Sequence, residues 1–74
     1  MDYCVRVASK DFHTIKAETL RLPDASSEFK SDVEAQYRVG DYAWFVCVDK
    51  RDATYLAKKW KGIPVAKPGD MVSL

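Results

Sequence analysis

The chain has 74 residues, 47% hydrophobic and 31% charged, with a formal net charge of +1 at pH 7. That length allows one domain over residues 1–74 with a thin core, since a chain this short buries only about 60% of its unfolded surface. It excludes a second lobe or a stack of repeats. The composition excludes intrinsic disorder, and near-neutrality excludes a bulk electrostatic pull towards nucleic acid or an anionic membrane.

The chain opens Met1-Asp2-Tyr3-Cys4, with an acid where a signal peptide carries basic residues, and its longest apolar run, Tyr42 to Val48, has seven residues. Neither a leader nor a membrane span is expected, and the expected compartment is the cytoplasm. Cys4 and Cys47 stand between apolar neighbours, which reads as two reduced packing residues rather than a disulfide.

Tyr3 to Ala8 alternates as a strand, with Tyr3, Val5 and Val7 on one face. From Phe12 to Leu22 two readings stand. Phe12, Ile15, Thr19 and Leu22 make a helical stripe with Ser9 as a candidate N-cap. Read as a strand, Ile15, Ala17 and Thr19 share a face, and Leu20 and Leu22 require a bulge or burial on both sides. The helix is favoured. Pro23 ends the element either way. In the loop that follows, Ser26 or Ser27 is placed to cap a short turn through Phe29.

Val33, Ala35, Tyr37 and Val39 alternate with Glu34, Gln36 and Arg38, and Tyr42, Trp44, Val46 and Val48 alternate with Ala43, Phe45 and Cys47. Gly40-Asp41 between them is a two-residue hairpin signal. It pairs Val39 with Tyr42, Tyr37 with Trp44, Ala35 with Val46 and Val33 with Val48. These eight side chains share one face, which is expected to be the core.

Asp49 to Lys61 reads as a helix with an apolar stripe of Ala53, Leu56, Ala57 and Trp60, an N-terminal cap at Asp49 and a stop at Gly62. Pro64 confines any strand at 63–65 to a sheet edge. Pro68-Gly69-Asp70 is a turn, and Met71 to Leu74 reads as a last short strand.

No catalytic set is legible. His13 is the only histidine, and one His with two distant Cys cannot supply a zinc site. Apolar surroundings raise a thiol's pKa, which disfavours a Cys/His nucleophile. Gly40, Gly62 and Gly69 stand alone, each explained by a turn or cap rather than a phosphate loop. The expectation is a protein that is not an enzyme and takes no cofactor or metal.

Tyr42-Ala43-Trp44-Phe45-Val46 resembles the aromatic strand of RNA-recognition motifs. Ala53, Leu56, Ala57, Trp60 and Gly62 resemble that family's second helix and the glycine after it. The resemblance covers about half the chain. It implies a ferredoxin-like βαββαβ order and alternate aromatics of the third strand stacking on bases. The sequence departs from the family in length and in its first strand. Its alternation also sets Tyr37, Tyr42 and Trp44 in the core, because otherwise Glu34, Gln36 and Arg38 are the buried series.

Charge is distributed unevenly. Residues 1–49 carry six basic and nine acidic side chains, and residues 50–74 carry six basic and two acidic ones. Tyr55 points away from the apolar stripe at 100° per residue, with Arg51 one turn before it and Lys58 and Lys59 one turn after. An exposed tyrosine ringed by cations makes Arg51, Tyr55, Lys58, Lys59 and Lys61 the candidate partner-binding residues. The competing explanation is that the lysines serve the helix dipole.

The expected fold is a single α+β domain, an antiparallel sheet with one or two helices on one face, with the ferredoxin-like order favoured. The alternative is a four-stranded meander or small barrel plus one helix. The expected function is a non-catalytic protein-binding module, a stand-alone phage-type regulator or inhibitor occluding an acidic surface of a larger enzyme or assembly. The alternative is a single-stranded RNA- or DNA-binding domain using the basic helix 50–61.

Overall fold

The structure is a computed structural model and describes residues 3–19 and 33–74. Over these residues it is α+β, with an open four-stranded antiparallel sheet and two helices. The elements run β1 (Tyr3–Ala8), a 3-10 turn (Ser9–Asp11), α1 (Phe12–Thr19), β2 (Val33–Val39), β3 (Tyr42–Cys47), α2 (Lys50–Lys59) and β4 (Ile63–Val65). The strand order is β2-β3-β1-β4, so β4 with Pro64 lies at an edge, as its missing N–H requires.

The segment with two readings is helical from Phe12, which removes the meander over the described residues. Ser9 does not cap it. The residue before the 3-10 turn is Ala8, and the Ser9 hydroxyl instead accepts a hydrogen bond from Arg38 Nε at 2.7 Å. Thr19's side chain, Leu22 and the proposed serine cap at Ser26 or Ser27 lie outside the described residues.

The hairpin forms with the expected register at Val39–Tyr42, Tyr37–Trp44 and Ala35–Val46. Gly40 has φ +60° and Asp41 does not share it, the arrangement of a II′ turn. The register then shifts, and Val33 pairs with Cys47 rather than Val48. A bulge of this kind inserts one residue and bends the strand.

The buried face is the opposite of the expected one. Ala43, Phe45 and Cys47 are sealed beneath the helices with Val5 and Val7, Ile15 of α1, and Tyr55 and Leu56 of α2. Tyr37, Val39, Tyr42 and Val48 are exposed. Each face of β3 carries an apolar series, so alternation alone cannot say which one the helices cover. The polar series of β2 was the misleading signal. β2 is an edge strand, and there Arg38 lies over the Phe12 ring at 5.5 Å while its guanidinium satisfies Ser9.

α2 starts where the sequence places it. The Asp49 carboxylate accepts from the Arg51 backbone N–H at 2.9 Å, capping the first turn. The helix ends at Lys59, and the residue in the left-handed region is Lys61, at φ 56°, rather than Gly62. Gly62 serves close approach instead: a Cβ there would lie 2.3 Å from Val5 Cγ1.

Beyond β4 the chain turns at Lys67–Asp70 and folds back over the face of the sheet opposite α1 and α2. Trp44 Nε1 donates to the Asp70 carbonyl at 3.0 Å, and Arg6 Nη1 donates to the Met71 carbonyl. The expected last strand reduces to a single bridge, Val65 to Ser73. This strap completes a small second core of Cys4, Trp44 and Val65, with Val46 against it.

Candidate functional site

The helix α2 sorts its side chains by angle. Leu56 and Asp52 are fully buried and Tyr55 nearly so, with Ala53, Ala57 and Trp60 half-buried beside them. Lys50, Arg51, Thr54 and Lys58 face out, and Lys61 is exposed just past the helix end. The outward arc is therefore basic, and it includes Lys50 as well as the predicted Arg51, Lys58 and Lys61.

Tyr55 corrects the reading of an exposed aromatic anchor. Tyr55 is only 9% exposed and belongs to the main core. The apolar stripe is wider than Ala53, Leu56, Ala57 and Trp60: at 100° per residue Tyr55 lies about 60° from the fully buried Asp52, on the covered side of the helix. The phenol donates to Glu18 at 3.4 Å and accepts from Lys59 Nζ at 2.9 Å. Lys59 also bridges to Glu18 at 3.2 Å, so it ties α2 to α1. Hydrogen bonds to Tyr55 and then to Glu18 raise its pKa above the usual lysine value. Arg51 pairs with Asp49 at 3.7 Å and remains half exposed.

An apolar groove of about 510 Å³ runs between α2 and the edge strand β4. Ala53, Ala57, Tyr3, Pro64, Val65 and Leu74 supply most of its wall, Lys50 lines it from α2, and among the described residues no Asp or Glu side chain does. The sequence showed the helix and the proline separately. Nothing in it placed Tyr3 and Leu74, from the two ends of the chain, on one groove.

The face of the sheet opposite α1 and α2 presents a second feature. The Tyr37 and Tyr42 rings lie 5.6 and 6.3 Å from that of Trp44, and the Arg6 guanidinium lies 5.0 Å over Tyr42. Tyr37 is 47% and Tyr42 39% exposed, whereas the strap leaves Trp44 only 3% exposed. The placement of these three in the core is thus corrected for the tyrosines. Trp44 is buried, but against the strap and not beneath the helices.

Both cysteines are buried free thiols, on opposite faces of the sheet. Burial, then the Asp70 carboxylate, pushes Cys4 up to about 11. Burial, then the Asp52 carboxylate, pushes Cys47 up to about 12. His13 is exposed, its ring edge-on to Phe12 at 5.5 Å and its Nε2 3.5 Å from Arg38 Nη1. Among the described residues no group of three His, Cys, Asp or Glu is placed to hold a metal ion. Among them, too, no helix is long and apolar enough to cross a membrane.

Compared with protein-family models, with curated proteins and with solved structures, the chain gives no match.

Proposed function

We propose that this protein is a non-catalytic binding module that docks on an acidic surface of a larger protein through the outward face of α2. The reading is that of a stand-alone regulator or inhibitor, acting by occlusion in the cytoplasm. One observation carries it: Lys50, Arg51 and Lys58 occupy the solvent arc of one helix, with Lys61 beside them. Of the predicted site, Arg51, Lys58 and Lys61 are retained as contacts, while Tyr55 and Lys59 serve as their support. Charges so arranged steer association and select against basic partners more than they add raw affinity. The two reduced thiols favour a reducing compartment. The order β-α-β-β-α-β with strands arranged β2-β3-β1-β4 supports a ferredoxin-like plan for the fold.

The test is recovery of partners from nuclease-treated lysate of the source cell, followed by titration with the purified partner. The wild type and the Arg51→Glu/Lys58→Glu variant are compared. The variant is expected to bind at least tenfold more weakly, mainly through slower association, while keeping its circular dichroism. Equal binding by both overturns the reading.

A second reading is single-stranded nucleic-acid binding, favoured by the exposed Tyr37 and Tyr42 with Arg6 over the latter ring. Ring faces of this kind accept bases without regard to sequence. Fluorescence anisotropy with a random single strand at low salt tests it. Loss of binding in Tyr42→Ala alone locates contact on the sheet, and loss in Lys58→Glu alone locates it on the helix. Absence of wild-type binding removes this reading.

A further inference from the structure

We infer that the groove between α2 and β4 takes the apolar side of an acidic amphipathic helix from the partner, an inference that rests on the protein-binding reading above and names its ligand. The groove has the size of a binding cleft rather than a packing defect, about 510 Å³. Its wall is apolar over Tyr3, Ala53, Ala57, Val65 and Leu74, so water held there is released when apolar side chains enter. On the side of α2 the surroundings turn basic. Lys50 lines the groove from α2, and Arg51 and Lys58 stand exposed on the neighbouring arc of the same helix.

A ligand that fills the groove must therefore be apolar on one face and negative on the flank lying over α2. A helix with leucines at i, i+3, i+4 and i+7 and glutamates on its flank meets both requirements. A wholly apolar segment makes no use of the charge beside the groove, and a wholly acidic one leaves the groove hydrated. Thr54 is no obstacle, since its hydroxyl already donates to the Lys50 carbonyl at 2.9 Å. The partner's other possible shape, an added strand, meets β4 where Ser73 bridges Val65 and Leu74 N–H donates to the Pro64 carbonyl at 3.1 Å.

The test uses the intact 15N-labelled protein and three synthetic peptides of about 15 residues, long enough to hold helical structure. The first carries the leucine stripe with glutamates, the second the same stripe with lysines, and the third the glutamates with serines in place of leucines. The first is expected to shift the amide resonances of Ala53, Ala57, Val65 and Ala66, and to bind at least tenfold more tightly than the other two. Ala66→Arg, at an exposed groove-lining position, is expected to weaken it at least tenfold.

Equal binding of the serine peptide, or no effect of Ala66→Arg, overturns the groove proposal. If Lys58→Glu still abolishes binding in that case, the basic-helix reading stands. No response to either acidic peptide overturns both. Concentration-dependent shifts at the same residues without peptide assign the groove to a second copy and also overturn the proposal.

Discussion

The indole N–H of Trp44 donates to the backbone carbonyl of Asp70 at 3.0 Å, and this bond pins the C-terminal strap to the sheet. Without the strap, Trp44 would stand on the open face beside Tyr37 and Tyr42. One polar atom on a strand thus decides how much aromatic surface that face presents.

Trp44→Phe removes the bond and keeps most of the ring's packing. The expected loss is about 0.5–1.5 kcal/mol of unfolding free energy, read from urea denaturation. Deleting residues 70–74 in a Trp60→Phe background is expected to shift the remaining tryptophan's emission to the red. Unchanged emission means that the strap does not cover Trp44.

Gly62 is where α2 hands over to β4 against β1. A methyl group there meets Val5 Cγ1 at 2.3 Å, inside contact distance, and Val5 is itself 1% exposed and cannot move freely. Gly62→Ala is expected to cost about 1–3 kcal/mol by overpacking. In the double variant with Val5→Ala the two changes are expected to be less than additive. Additive costs place the penalty in the backbone rather than in this contact.

Tyr55 is a core residue with a polar tip, so truncating it does not report on binding. Tyr55→Ala is expected to destabilise by about 3–5 kcal/mol, close to the whole stability of a small domain. Tyr55→Phe keeps the ring and loses the hydroxyl between Glu18 and Lys59. Its expected cost is smaller, with the native circular dichroism retained. Comparable losses in the two variants would mean that the hydroxyl, not the ring, holds α2 in place.

Cys4 and Cys47 hold their protons more tightly in the folded chain than the ordinary thiol value of 9.0, at about 11 and about 12. Above pH 9 the unfolded chain therefore releases protons that the folded chain retains. The stabilisation is fully present below pH 9 and is lost as pH rises through 11 and 12. Cys47→Ala is expected to lose less stability than the parent between pH 9 and pH 11, measured by urea denaturation in parallel. A thiol-specific reagent at pH 7 is expected to modify neither cysteine until the chain unfolds. Rapid modification of the native protein contradicts this burial.

The elements near the turns and caps were legible because the interactions that make them are local. Gly40-Asp41 sets the hairpin, and the Asp49 carboxylate with its own next N–H groups starts α2. Pro64 confined β4 to an edge by chemistry that no context changes. Helical spacing at Phe12 and Ile15 was strong enough to favour α1, but Ser9 found a better donor in Arg38, far along the chain, than in its own helix.

Alternation, turn positions and the charged arc of α2 are local properties, and all three can be read along the chain. Which face of the sheet is covered is a matter of long-range packing. Both faces of β3 are apolar, so alternation is symmetric between the two answers. The choice depends on where α1, α2 and the strap pack, which no window of sequence contains. The same long-range packing took Tyr55 out of solvent and sealed Trp44 under Asp70. It also brought Tyr3 and Leu74 to one groove beside a basic helix, and the net charge of +1 gave no hint of that.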